Sequence, residues 1–187
     1  IESIGLGRFQ WWLFLINGLV WASDAMEIIA VGFVIPSVVA TFDVELTQAG
    51  LVGSLFFLGM TVGAWGFGVL ADRIGRRNTF LLTIGANALF ALLSAFAPSF
   101  GVLLVFRFLT GAAVGGTLPV DYSLTAEFLP KAQRGRFLVY LESFWALGTI
   151  AIALIAWAII PAMPADGWRW IFGINAIPGL LGLLVRF

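Results

Sequence analysis

The chain has 187 residues, of which 61% are hydrophobic and only 11% charged, with a mean hydropathy of +1.04. A water-soluble domain carries about a quarter of its residues as charges, so an ordinary soluble fold is excluded, and ten Lys and Arg balanced by ten Asp and Glu give no net charge to attract nucleic acid. Cys and His are both absent, which removes disulfide scaffolds, thiol and Ser-His nucleophiles, His-ligated haem and most zinc sites, so neither enzyme activity, a metal nor a cofactor is expected.

A membrane-spanning helix needs about 20 mostly apolar residues, and six runs of that order occur. The first covers about 11–38, ends near Pro36 and leads into a polar turn, 41–48, with Asp43 and Glu45. The second, about 49–70, stops at the charged stretch 71–77; the third, about 79–97, meets Pro98. The fourth, about 101–128, ends at Pro130 and the basic stretch 131–136, and the fifth covers about 137–160. A turn with Pro161, Pro164 and Gly167 precedes the sixth, about 170–185. The long apolar run after Glu2 and Arg8 is unlike the short core of a cleavable signal.

Loops on the cytoplasmic side collect Lys and Arg. If the spans alternate, Arg8, Arg73, Arg76, Arg77, Lys131, Arg134, Arg136 and Arg186 fall on one side and Arg169 alone on the other. Both termini of the segment are therefore expected in the cytoplasm of a plasma or bacterial inner membrane. Trp11, Trp12, Trp168 and Trp170 lie at span ends, as in an interfacial aromatic belt. Gly59 with Gly63, and Gly111 with Gly115, are four residues apart, so each pair shares a helix face on which another backbone can approach closely.

Five charged residues fall inside spans: Asp24, Glu27, Arg107, Asp121 and Glu142. A charge there costs at least a few kcal/mol and faces a cavity or a partner. At 1.5 Å per residue, Asp24 and Glu27 lie roughly 18 and 14 Å below the outer end of the first helix, and Arg107 roughly 9 Å below that of the fourth. A long Arg side chain can bridge the difference. The three read either as a coupling group, in which Arg107 holds a carboxylate ionised until a proton arrives, or as a static ion pair that sets helix packing. Asp121, Glu142 and Trp145 lie toward the cytoplasmic ends of the fourth and fifth helices, where they read as lining a substrate cavity or, for Glu142, as pairing with the nearby basic loop.

The stretch Gly68-Val69-Leu70-Ala71-Asp72-Arg73-Ile74-Gly75-Arg76-Arg77 resembles the G-x-L-a-D-r-x-G-r-r signature of the major facilitator superfamily between its second and third helices. Arg107-Phe108-Leu109-Thr110-Gly111 is similar to that family's R-x-x-x-G in helix four, and Glu127 with Arg134-Gly135 to the E-x6-R-G of its sugar-porter-like branches. Gly7-Arg8-Phe9-Gln10 with Asp24, and Glu142-Ser143-Phe144-Trp145, look most like the metabolite:proton symporter and niacin permease group, related to synaptic vesicle glycoprotein 2-like proteins.

The resemblance implies an all-α integral membrane bundle of six transmembrane helices, built as two three-helix inverted repeats. That is half of a twelve-helix fold, with the C-terminal six-helix half as the missing partner; the first residue, Ile, fits a chain trimmed from a longer protein. It implies a secondary active transporter that moves a small organic metabolite by alternating access, driven by a proton gradient, with no cofactor. Asp24, Glu27 and Arg107 would couple protons. Gly68, Asp72, Arg73, Gly75, Arg76, Arg77, Glu127 and Arg134 would form a cytoplasmic gate that breaks between conformations. Where sugar porters place a Gln eight residues after the Arg of E-x6-R, this chain has Glu142, and a carboxylate cannot both donate and accept as an amide does. An aromatic or pyridine carboxylate is thus expected ahead of a sugar. A transporter-like membrane protein that binds a ligand or partner without flux, and a sugar:proton symporter, are the alternatives.

Overall fold

The computed structural model describes residues 7–185, which fold into seven helices and no strand. They are α1 (Arg8–Phe42), α2 (Leu46–Ala49), α3 (Leu51–Ile74), α4 (Arg76–Ala95), α5 (Phe100–Phe128), α6 (Lys131–Ala162) and α7 (Gly167–Val185). Each expected span is present as one long helix, and α2 is a single turn within the polar stretch after the first. Arg186, counted above among the basic loop residues, and Glu2 lie outside the described residues.

Most helices run past the expected ends of their spans. α1 passes Pro36 and ends only where Asp43 takes up a left-handed conformation (φ 51°), its N–H donating to the Val39 carbonyl at 3.0 Å. α6 begins at Lys131 and contains Pro161. Hydropathy marks where a segment leaves hydrocarbon, whereas the helix continues into water until its backbone groups find other partners. The break between α3 and α4 is sharp because Gly75 has φ 86° and ψ 149°, a geometry that a side chain would strain. Asp72 and Arg73 therefore belong to the last turn of α3, and Arg76 and Arg77 to the first turn of α4.

The dominant helix pairings are α3 with α5, α1 with α6, and α4 with both α5 and α7. Each joins one of the first three long helices to one of the last three, so the two triplets interleave instead of standing as separate halves. The α3–α5 seam depends on missing side chains. A Cβ on Gly59 would lie 2.1 Å from the Phe108 carbonyl oxygen and one on Gly63 1.9 Å from that of Ala112. From the other side, Gly111 and Gly115 would collide with the carbonyls of Phe56 and Met60 at 2.0 and 2.1 Å. α1 and α6 meet in the same way at Gly148, whose Cβ would lie 2.3 Å from the Ala22 carbonyl oxygen.

The largest apolar core lies toward the end of the bundle away from the basic loops, where Val34, Val38, Leu103, Ile152, Trp168 and Phe172 pack together. The loop from α6 to α7 is pinned there. Ser37 and Thr41 donate from α1 to the Ala165 carbonyl, while Trp168 donates its backbone N–H to Ser37 Oγ at 3.2 Å and its Nε1–H to Thr41 Oγ1 at 2.8 Å. Arg169 donates to the Ala95 carbonyl at 2.9 Å, which satisfies the last turn of α4. Outside the bundle, Trp65 and Trp157 are exposed on α3 and α6.

Candidate functional site in the bundle interior

The apolar surface needed by a membrane helix makes each buried polar side chain costly unless it finds a partner. α1 carries Asn17, Asp24 and Glu27 within eleven residues, spaced seven and three apart, so they rise along one side of the helix over about 15 Å. All three are buried, and each meets a different partner across the bundle. Asn17 Nδ2 donates to Thr125 Oγ1 of α5 at 2.6 Å. Asn87 Nδ2 of α4 donates to Asp24 Oδ1 at 3.3 Å. Arg107 Nη1 of α5 donates to Glu27 Oε2 at 2.7 Å, and neither side chain has any exposed surface.

Arg107 is held from four helices. Its Nε and Nη2 donate to Ser94 Oγ of α4 at 3.1 and 2.8 Å, Nη2 also to Thr110 Oγ1 at 3.0 Å, and its guanidinium carbon lies 3.9 Å over the centroid of the Phe172 ring of α7. A delocalised cation with five fixed donors suits such a position better than an ammonium would. Asn175 of α7 is also buried, with no hydrogen-bond partner for its amide among the described residues.

The geometry chooses between the two carboxyl groups of α1 that the sequence leaves open as partners of Arg107. Arg107 has Glu27 as its ionic partner, one helical turn nearer its own level than Asp24, and Asp24 is bonded to a neutral amide instead. Asp24 Oδ2 is buried with no hydrogen-bond donor among the described residues. Asp121 of α5 is likewise fully buried, close enough that its charge acts on Asp24. The interior thus holds three buried carboxyl groups, Asp24, Glu27 and Asp121, and Glu27 has the Arg107 cation as its partner.

Asp121, Glu142 and Trp145, expected to line one cavity, are not brought together as a set. Asp121 points into the interior because it sits on the buried side of α5, whereas Glu142 lies on the exposed side of α6 and accepts a hydrogen bond from the Tyr122 hydroxyl. Trp145 is partly buried and belongs to an aromatic group. Trp21 lies 4.9 Å from Tyr122, edge to face, and 5.6 Å from Trp145, centroid to centroid. Trp21 is three residues before Asp24 on α1, so the aromatic group and the buried carboxyls are neighbours on that helix.

On the basic face the expected gate narrows to one ion pair. Arg76 at the start of α4 pairs with Glu127 near the end of α5, both about half exposed. Asp72, Arg73 and Arg77 are exposed with no ion pair among the described residues, and Arg134 donates to the Leu129 carbonyl at 3.4 Å instead of meeting Glu127. The left-handed turn at Gly75 places Arg76 against α5 and leaves the other charges on the outside of the turn. Nothing lies within 4 Å of a Cβ built on Gly68 or on Gly75, so of these two glycines only Gly75 is required, and by its φ.

Asn17, Asn87, Ser94, Thr110 and Asn175 are the members of the interior that charge counting misses. A signal for three of them exists, since Asn17, Asn87 and Asn175 are amides inside apolar runs and all are buried.

Five helices are long and apolar enough to cross a membrane among the described residues, and α7 packs between α4 and α1 beside them. A bundle of this kind, with a buried ion pair and a buried carboxyl group among apolar helices, is that of a multi-pass membrane protein. The model of the Major Facilitator Superfamily matches residues 11–187, and the chain belongs to that family. It is 40% identical over 173 residues to synaptic vesicle glycoprotein 2C of Mus musculus and 39% identical to synaptic vesicle glycoprotein 2A of Rattus norvegicus, covering 92% of this chain and 23% of each relative. The chain therefore spans about a quarter of the length of these curated relatives. Its fold is that of the xylose transporter XylE from E. coli in a partially occluded inward-open conformation, with a TM-score of 0.87 and 18% identity over 96% of this chain and 48% of that one. A bacterial homolog of the human lysosomal transporter Spinster has a similar fold, with a TM-score of 0.85 and 20% identity over 97% of this chain and 43% of that one. The chain has the architecture of the N-terminal half of a Major Facilitator Superfamily transporter.

Proposed function

We propose that this chain is the proton-coupling half of a secondary active transporter for a small organic metabolite, working by alternating access with a C-terminal six-helix half. The observation that carries the reading is Asp24. It is a fully buried carboxyl group bonded to a neutral amide, beside the charge of Asp121 and one turn from the Glu27–Arg107 pair. A carboxyl group in that setting can take and lose a proton without breaking an ion pair, whereas Glu27 and Arg107 hold α1 and α5 in register. Protonation of Asp24 removes its repulsion with Asp121 and so favours a closer approach of α1 to α5, and that difference is what a coupled proton can bias.

The substrate class follows from the aromatic group. Tyr122 and Trp145, partly exposed against the buried Trp21, offer aromatic surface for a ring, and Glu142, which accepts the Tyr122 hydroxyl hydrogen, supplies an acceptor at its edge. This favours an aromatic or pyridine carboxylate over a sugar, which needs paired donors and acceptors around every hydroxyl. In the same reading the basic loops and both termini of the segment face the cytoplasm, and the Arg76–Glu127 pair is the cytoplasmic latch that opens between states, with Asp72, Arg73, Arg77 and Arg134 engaging in the other conformation.

The test uses the complete protein in liposomes with an imposed proton gradient and nicotinate as the probe. Asp24→Asn should abolish uphill accumulation and leave counterflow exchange in place. Undiminished accumulation in this variant would remove Asp24 from the coupling role. A second reading, a membrane protein that binds without flux, is favoured by the four-helix anchoring of Arg107, which suits a rigid interior; nicotinate binding with no flux under any gradient would establish it.

A further inference from the structure

A groove of about 450 Å³ opens on the outside of the bundle between the end of α4 and the start of α7, at the end away from the basic loops. Leu92, Phe96, Trp170, Gly173 and Ile177 line it, and Arg169 stands at its mouth. The walls are almost wholly apolar, yet several of these side chains are well exposed, Phe96 at 72% and Trp170 at 57%. Gly173 forms the floor. A Cβ placed there would meet nothing closer than Ala95 Cβ at 3.8 Å, so the glycine is not demanded by helix packing. The space it leaves continues the groove.

The mouth is built from opposite charges. Arg169 Nη1 is used by the Ala95 carbonyl, Nε lies 3.5 Å from Asp166 Oδ1, and the guanidinium is stacked 4.3 Å over the Trp168 ring. Its Nη2 makes no hydrogen bond among the described residues. Arg169 is one-third exposed and Asp166 two-thirds exposed, so both reach the water side of the interface while Trp168 fixes the cation from below. Of the two tryptophans expected in an interfacial belt at this end, Trp168 is instead wholly buried, and the exposed Trp170 marks the headgroup level.

We propose that the α4–α7 groove is a binding site for a glycerophospholipid with an amine headgroup. One acyl chain lies along Leu92, Phe96, Gly173 and Ile177, the phosphate meets Arg169 Nη2, and the ammonium meets Asp166. Charge complementarity selects this occupant, since a fixed cation followed three residues away by a more exposed carboxylate matches the order of phosphate and amine outward from the glycerol. An acyl chain accounts for an apolar trough on a surface that already faces hydrocarbon. The site is separate from the interior carboxyl groups and stands whether or not the chain moves protons.

The complete protein, in vesicles of phosphatidylcholine with a phosphatidylethanolamine that carries a diazirine on one acyl chain, is irradiated and its labelled peptides mapped. The exposed α6 face around Leu147, Leu154 and Trp157 serves as the internal standard for non-specific lipid contact. Labelling should favour the groove over that face. The preference should fall roughly fivefold, the value of one basic residue at a lipid surface, in Arg169→Gln or when a diazirine diacylglycerol replaces the phospholipid, and should persist in Arg169→Lys. Gly173→Leu should remove groove labelling and leave α6 labelling intact. Equal labelling of the two faces would reduce the groove to ordinary lipid contact, and an unlabelled groove would mean that protein covers it; either result overturns the proposal. If a variant loses labelling on both faces it has misfolded, and the phospholipid-to-diacylglycerol comparison on the unmodified protein then decides.

Discussion

Glu27 of α1 and Arg107 of α5 form a 2.7 Å ion pair with no solvent exposure on either side chain, and Arg107 is tied besides to Ser94, Thr110 and the ring of Phe172. A buried pair is held by its geometry, and removing one partner strands the other charge. Arg107→Ala and Glu27→Ala should each destabilise the bundle by about 3–5 kcal/mol. The double variant Glu27→Ala with Arg107→Ala should lose less than the sum of the two single changes. Thermal unfolding in detergent, read as a double-mutant cycle, measures the coupling, and additive losses would show that the pair does not act as a unit.

The α3–α5 seam predicts a sharp contrast among glycines. Gly63→Leu would put a side chain where the Ala112 carbonyl now sits, and Gly115→Leu would do the same to Met60. Both should fail to yield monodisperse protein, since overpacking a close backbone contact costs at least about 1–3 kcal/mol and here cannot relax. Gly66→Ala, with open space around its Cβ, should behave as the unmodified chain. Size-exclusion profiles of the three variants separate these cases.

The Arg76–Glu127 pair is about half exposed on both sides, so it should contribute only about 0–1 kcal/mol to stability. Its effect should be on conformation instead. In the complete protein Glu127→Gln should leave the melting temperature within a degree or two while raising the reactivity of a single cysteine placed at the Tyr122 level of the aromatic group. This chain has no Cys of its own, so once any Cys elsewhere in the complete protein is replaced the label reports one site. An unchanged labelling rate would deny the pair a gating role.

Trp168 joins the α6–α7 loop to α1 through Ser37 and Thr41 and is itself wholly buried. Trp168→Ala should cost about 3–5 kcal/mol through lost volume. Trp168→Phe should cost less, because it removes the indole–hydroxyl bond and leaves most of the packing in place, and Thr41→Val should cost more than Trp168→Phe because it also removes the Thr41 bond to the Ala165 carbonyl. Thermal unfolding of the three variants checks the order; a Phe variant as unstable as the Ala variant would shift the weight from packing to the hydrogen bond.

The lipid-spanning architecture was legible in the chain because hydrocarbon permits few solutions. Runs of about 20 apolar residues and glycines four apart follow from local rules, and both reappear in the bundle. Helix ends were less legible: Pro36 and Pro161 read as stops but lie inside α1 and α6, since a backbone group freed by proline can be satisfied locally or by neighbouring helices. The intramembrane charges were legible as a list, and Asp24, Glu27, Arg107 and Asp121 are indeed all buried.

Which of those charges meet was not. Spacing along α1 places Asp24 and Glu27 on one side of a helix, but their partners sit 63 and 80 residues away on α4 and α5. The interleaved pairing of helices brings Asn87 to Asp24, gives Arg107 to Glu27, buries Asp121 and turns Glu142 outward. By itself the sequence determined that this chain lives in a membrane as a helical bundle and that a few charges inside it must be answered, because each span obeys the solvent around it. Only the tertiary structure decided which answer each charge receives, because an ion pair between helices depends on their depth, rotation and neighbours, none of which a single span encodes.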